Sequence, residues 1–424
     1  MEEVAIKADD IGIDSIESSL EGWLEGRTAG VRKVLLLPPD YTMSMAAAGP
    51  ITAMLYRMLK DSFEVDVMPA LGTHERVSDE ERLKMFGLEI PAERFLVHNW
   101  RTEVADIGEV PSAFVRQASE GKLDYPIKVQ VNRRLVDGTY GLIISIGQVV
   151  PHEVAGMANY TKNVLVGCGG KEMIDKTHFL GAVYGLERLM GRDHSPVRQV
   201  FDYAEERFLK GVPLQYFLTV VRQEGGRGVI KGFFAGRQRR LFEEAVALSR
   251  AYNFDLLDEP LEKVVVYLDP EHYKSTWLGN KAIYRTRMAI ADRGELIVIA
   301  PGVRHFGEDP GMDKLIRKYG YKGTEYVLEA VKQNEDLRGG LSAAAHLIHG
   351  SSEGRFGITY CPGKLTREEV EGAGFGYMDL GEALRRYDIK AMKQGMNDMG
   401  AEGRVFYVAN PSLGLWALSK HFEA

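Results

Sequence analysis

The run Leu142-Ile143-Ile144-Ser145-Ile146 reads as a buried strand: short, almost wholly apolar and stopped by Gly147. It empties into a polar loop that carries His152. Lys162 stands ten residues beyond that histidine, and His178 sixteen beyond the lysine. Open α/β sheets bind their ligands past the carboxyl ends of strands, so this loop is where a site is expected.

The surrounding chain repeats the pattern. Val34 to Leu37 is an apolar run stopped by Pro38-Pro39, followed by a loop with Asp40-Tyr41-Thr42 and helical spacing from Ile51 to Leu59. Phe63 to Met68 predicts a strand that ends in Gly72-Thr73-His74. Ser78 and Glu81 make a capping box for a helix from Asp79 to Phe86. Phe95 to His98 and Lys128 to Val131 are further strand candidates. Leu218 to Val221 is another, closed by a glycine-rich turn, and Gln238 to Tyr252 is an amphipathic helix. A second series begins at Val264 to Tyr267 and continues with Glu295 to Ala300, a helix over Leu341 to Ile348, and strands at Gly357 to Cys361 and Phe406 to Val408. Strands alternating with helices predict an α/β fold of mostly parallel sheets flanked by helices.

A length of 424 residues implies two or three domains. The expected division is an α/β domain over 1–260 and a second over 264–408, with the closing segment 409–424 free to pack back on the first. A net charge of −7 argues against nucleic acid and anionic membrane as partners. Two cysteines, Cys168 and Cys361, cannot build a disulfide framework, which points to a reducing cytoplasm. No secretory signal and no apolar run long enough to span a membrane is visible.

Three histidines of the first half, His74, His152 and His178, lie near predicted strand ends or the loops after them. Imidazole suits both general base work near neutral pH and coordination of a soft metal, although a lone loop histidine is more often structural. Lys162 has two readings: a surface lysine at the head of a strand, or a desolvated amine able to bond covalently to a carbonyl or acyl group. No dinucleotide or P-loop glycine signature occurs, and neither CxxC nor HExxH. Gly350-Ser351-Ser352-Glu353-Gly354 fits GxSxG but follows a helical pattern, so the context of a nucleophile elbow is missing.

Taken together, Gly72-Thr73-His74, the segment SIGQVVPHEVAG at 145–156, Lys162 and His178 resemble the nickel-pincer lactate racemase family. The likeness covers nearly the whole chain. It implies two α/β domains with the active site in the cleft between them. It implies a pyridinium mononucleotide with two sulfur arms, held as a thioamide on a lysine, with nickel in the pincer and a histidine as further ligand. By position, the resemblance implies Lys162 as the tether and His178 as the nickel ligand. It implies His74 and His152 as the acid/base pair, one for each face of a small 2-hydroxy acid. Proteins of cofactor synthesis would be its partners. Hydride transfer to the cofactor avoids removing the weakly acidic C2 proton, and sulfur with imidazole suits nickel.

The chain departs from that family where a loop usually reading Asp-x-Thr-Arg has Asp40-Tyr41-Thr42-Met43. Met43 donates no hydrogen bond, so another cation must hold the anion or the ligand set differs. Asp40 and Thr42 remain expected cofactor contacts. In the second half, Trp277, Asn280 and Lys281 are the expected substrate contacts, Lys281 by resemblance to the family's substrate lysine. Arg285 and Arg287 are either replacements for the missing arginine or a solvated helix face. His346 and His349 share a helical face and could touch a substrate hydroxyl, cap the helix or bind metal; extra polar groups there would suit a longer sugar acid. Two other classes stay open: a binder of the pincer nucleotide without turnover, and a zinc hydrolase using His74, His152 and His178.

Overall fold

The computed structural model describes residues 3–224, 227–412 and 414–422, without the side chains of Thr42, Met45 and Ala401. The chain divides into two units, Met1–Leu180 with Arg188–Asn253, and Gly181–Glu187 with Phe254–Ala424.

Apolar runs become the inner strands of the first unit. β1 (Val4–Lys7), α1 (Ile13–Glu25), β2 (Lys33–Leu37), α2 (Ala48–Leu59), β3 (Glu64–Val67) and α3 (Asp79–Phe86) lead into β4 (Val104–Val110), α4 (Ser112–Ala118), β5 (Ile127–Asn132) and β6 (Leu142–Gln148). Next come β7 (Pro151–His152), β8 (Gly156–Met157), α5 (Thr161–Leu165), α6 (Lys171–Tyr184), α7 (Leu186–Leu189) and α8 (Pro196–Ala204). β9 (Leu214–Glu224), β10 (Arg227–Gly236) and α9 (Arg239–Asn253) follow.

The main sheet has the order β1-β10-β9-β6-β2-β3. β9, β6, β2 and β3 pair in parallel, whereas β10 and β1 add an antiparallel edge. Every residue of β6 is buried, as expected of a strand that is apolar but for Ser145 and Gln148. Ile16, Leu20 and Trp23 of α1 and Ile51 and Met54 of α2 share one core with Leu36, Ile144 and Phe217 of the sheet. Each such side chain contributes roughly 1.5–3 kcal/mol relative to exposure, enough together to hold strained turns at the strand ends.

Three expectations are corrected. Phe95 to His98 is not a strand; Phe95 makes a single bridge to Val67, and its ring packs on Phe86. Lys128 to Val131 lies in β5, which pairs antiparallel with β4 in a separate two-stranded sheet rather than joining the main one. Lys162 does not head a strand, because the apolar residues after it, Val164 and Leu165, bury one side of the short helix α5.

The second unit contains β11 (Phe254–Leu257), β12 (Leu261–Tyr267), α10 (Thr276–Gly279), α11 (Lys281–Thr286), β13 (Ile290–Ala300), α12 (Pro310–Tyr319), α13 (Thr324–Gln333), α14 (Glu335–Arg338) and α15 (Leu341–His349). Its strands continue with β14 (Gly357–Pro362), β15 (Gly376–Tyr377), β16 (Gly395–Asp398), β17 (Arg404–Val408) and β18 (Leu415–Leu418). Its sheet runs β15-β14-β13-β12-β17-β16, parallel except for β16. In the closing segment β18 pairs in parallel with β11. Among the described residues no helix is long and apolar enough to cross a membrane.

Candidate active site

β2 and β3 end side by side, and their exits stay paired. The Ala70 amide donates to the Pro38 carbonyl (2.8 Å), and Pro39 bridges Ala70 in parallel register. The two loops therefore leave the sheet together, and His74 meets Asp40: Nδ1 lies 2.6 Å from Oδ2. A carboxylate accepts, so Nδ1 carries the proton and the lone pair of the neutral ring sits on Nε2. This is the orientation of a general base held by an acid. Asp40 is buried and His74 half-buried. Thr42, expected beside them, has a side chain outside the described residues. Met43 sits half-buried in the 3-10 turn Tyr41–Ala46.

β6 leaves the sheet at Gly147, whose φ of 156° comes with no room for a side chain: a Cβ would lie 2.1 Å from the Asn159 amide nitrogen. The chain then forms the β7–β8 ribbon, which carries His152. Its Nδ1 accepts from the Val154 amide (3.1 Å), so the neutral ring holds its hydrogen on Nε2. His74 and His152 thus present unlike nitrogens, a lone pair on one and an N–H on the other. Gly156 closes the ribbon at φ 81°, with a carbonyl of Arg192 where its Cβ would be, 2.0 Å away.

Lys162 stands in the first turn of α5. Asn163, next to it, donates from Nδ2 to the Leu37 carbonyl (3.1 Å) and to Ser145 Oγ (2.9 Å), fixing the helix over the carboxyl ends of β2 and β6. The entry to α5 is a two-residue kink. Asn159 has φ 63°, and Tyr160 combines φ 54° with ψ −134°. Such a conformation in a non-glycine residue costs on the order of 1–3 kcal/mol and persists only where neighbours enforce it.

His178 lies on α6. Its Nδ1 is 2.7 Å from the Ile174 carbonyl, which can only accept, so Nε2 keeps the lone pair. Burial, and after it the nearby Lys162 cation, hold the ring's pKa down to about 4, so it stays neutral at physiological pH. A metal-binding histidine needs both properties. The loop after α5 is pinned in turn by buried His98, whose Nε2 donates to the Gly169 carbonyl (3.0 Å) while Nδ1 accepts from Asn132. Cys168 is buried there and its thiol pushed up to about 12, which leaves it protonated.

In the second unit Trp277 is half-buried and stacks on His346 at 4.5 Å. Lys281 opens α11 and is half-buried. Asn280 departs from expectation. It is wholly buried; Oδ1 accepts from the Tyr360 hydroxyl (2.7 Å), and Nδ2 faces His346. Its amide braces the interior rather than facing a ligand. His346 lies between the Tyr284 and Tyr321 hydroxyls, 2.8 Å from each, which replaces the expected substrate or metal contact. Arg285 and Arg287 are buried, so neither forms a solvated face. Arg287 pairs with Glu187 and donates to the carbonyls of His349 and Ser351.

Among the described residues the only three-membered group of potential ligands within 4.8 Å is Asp193, His194 and Glu243. His74, His152 and His178 are not such a group.

Residues 23–185 match the model of the lactate racemase N-terminal domain. Over those residues the chain is similar to that domain. Its fold agrees: the lactate racemase apoprotein from Thermoanaerobacterium thermosaccharolyticum superposes with a TM-score of 0.68 at 17% identity, over 93% of this chain and 88% of that one. A structural genomics target from Thermotoga maritima superposes more closely, with a TM-score of 0.84 at 25% identity over 98% of this chain and 100% of that one. No curated protein matches.

Two features of the site escaped the sequence. Asp40, expected as a cofactor contact, is bonded to His74. Arg198, buried beneath the loop before Lys162, was not expected at all. The Ser195-Pro196 start of its helix is a legible cap, but nothing local distinguishes a buried arginine from an exposed one.

Proposed function

We propose that this protein is a racemase or epimerase of a small 2-hydroxy acid, working with a nickel-pincer nucleotide attached to Lys162. The observation that carries the reading is the state of His178. It is a neutral imidazole with its Nδ1 proton committed to the Ile174 carbonyl, buried where the charge of Lys162 helps hold its pKa down. Among the described residues no carboxylate or thiolate set completes a metal site around it. A sulfur pincer would bring the remaining donors to a metal there.

When bound, the nucleotide would supply a hydride acceptor for C2 of the substrate. This chain's residues supply the rest. His74, oriented by Asp40, takes the hydroxyl proton at Nε2. His152 presents Nε2–H to the same substrate oxygen, as a neutral imidazole does when it polarises a carbonyl. The expected pair of equivalent bases is in this reading an unequal pair. Lys281 and Trp277 would hold the carboxylate and the body of the acid.

The test is to express the chain with the proteins of cofactor synthesis, weigh the Lys162 peptide, measure nickel, and assay interconversion of enantiomers across lactate and longer sugar acids. A nucleotide mass on Lys162 with racemisation of one acid supports the reading. Loaded protein inert on every 2-hydroxy acid supports instead a binder without turnover, which Met43 in place of the arginine favours.

A further inference from the structure

The kink at Asn159-Tyr160 leads directly into Lys162, and one buried side chain is bonded along it. Arg198 is completely buried in α8. Its guanidinium donates to Thr161 Oγ1 (2.7 Å) and the Met157 carbonyl (2.7 Å), and spans the Asn159 carbonyl at 3.5 Å from both terminal nitrogens. Three of the five residues immediately before Lys162 are therefore fastened to one cation. Tyr160, between them, stacks on Phe242 (5.1 Å) and donates from its hydroxyl to the Arg237 carbonyl.

The position is a costly one for an arginine. Among the described residues no carboxylate lies within ion-pair distance of it, and its Nε is buried with no hydrogen-bond partner. It stands at the amino end of its helix, where a cation is disfavoured. Phe242 lies 4.6 Å from the guanidinium carbon, so an apolar side chain would pack there well. Burial lowers the pKa to about 10, which still leaves the group charged at neutral pH. What an apolar residue could not do is hold two carbonyls and a hydroxyl of a left-handed turn.

We infer that Arg198 is a positioning residue for Lys162, clamping the strained turn before it so that the amine is held in place to take the cofactor. The inference rests on Lys162 being the attachment point. It also makes a claim about the apo chain: without the clamp, residues 157–161 relax and the amine leaves its place, while the sheet stays intact.

Arg198→Met and Arg198→Lys would be compared with wild type by three readouts: thermal unfolding, nucleotide mass on Lys162 after co-expression with cofactor synthesis, and labelling of Lys162 in apo protein by acetic anhydride, referenced to exposed Lys128. The labelling reference separates a local effect from a general loosening, which would move both lysines. Expected is a change of at least about tenfold in Lys162 labelling relative to Lys128, and a similar loss of loading, in Arg198→Met. Arg198→Lys should recover part of both. If Arg198→Met does not fold, Thr161→Val, which deletes one accepting oxygen, should show the same loss several-fold. Loading and relative labelling equal to wild type in these variants overturns the positioning role alone. Wild type that acquires no nucleotide mass, under conditions that load an authentic lactate racemase, overturns the attachment reading and the inference with it.

Discussion

His74 and Asp40 come from loops that follow different strands, and they meet because a bridge between Pro39 and Ala70 keeps those loops together as they leave the sheet. The bond fixes which nitrogen of His74 is basic. It also gives Asp40 a role distinct from touching a cofactor, and that role is testable.

Asp40→Asn keeps size and shape but can present an N–H to Nδ1, turning the ring's lone pair inward. In cofactor-loaded protein kcat should fall by about 10²- to 10³-fold with KM little changed. Nickel content and the nucleotide mass on Lys162 should stay at wild-type values. Loss of the nucleotide instead of turnover would return Asp40 to the cofactor contacts.

His178→Ala should uncouple metal from nucleotide. The amine of Lys162 does not need the imidazole to form its bond, so the peptide mass persists. Nickel retained through gel filtration should drop to background, because one donor is gone. Equal nickel in variant and wild type would remove His178 from the ligand set.

His98 makes a prediction about acid stability. Burial lowers its pKa below the ordinary 6.5. The unfolded chain therefore binds a proton at a pH where the native ring does not, so the contribution of His98 is complete above about pH 6.5 and shrinks as pH falls below it. His98→Gln can still donate to Gly169 and accept from Asn132 but cannot titrate. Its urea midpoint should fall less steeply between pH 6.5 and 5 than that of wild type. Identical slopes would show that His98 does not titrate differently on unfolding.

Asn280 and Lys281 are neighbours with opposite expected phenotypes. Asn280→Ala strands the buried Tyr360 hydroxyl and removes a neighbour of His346, a loss of about 1–3 kcal/mol in unfolding free energy. Lys281→Ala, half-buried at a helix start, should unfold within about 0.5 kcal/mol of wild type and raise KM for the acid instead. Reversed phenotypes would restore Asn280 as the substrate contact.

The inner strands were legible because burial on both faces leaves no polar alternation, as in Leu142 to Ile146. The antiparallel edge was not, since Val4 to Lys7 is too short to announce its partner. Asn163 to Val166 was ambiguous for the same reason: four apolar-rich residues suit either a strand or one turn of helix, and the site chose the helix. The sequence could put forward His74, Lys162 and His178 as candidates, but the bonds around them could not be read from it. Asp40 lies 34 positions from His74, and His178 finds its partner in the backbone of its own helix. Asn280 misled because a polar residue in a loop looks available, whereas its surroundings are tyrosine and histidine drawn from distant segments.

Asn163 grips the carbonyl of one strand and a hydroxyl of the next, so the neighbouring amine inherits its coordinates from the alignment of two adjacent strands rather than from a loop of its own. Slippage of one strand past the other by a fraction of a residue would therefore be felt at that amine while the hydrophobic layers were still sealed. A chain of this kind could lose its chemistry well before it lost its shape, and replacing Ser145, wholly buried beneath Asn163, is the change most apt to reveal it.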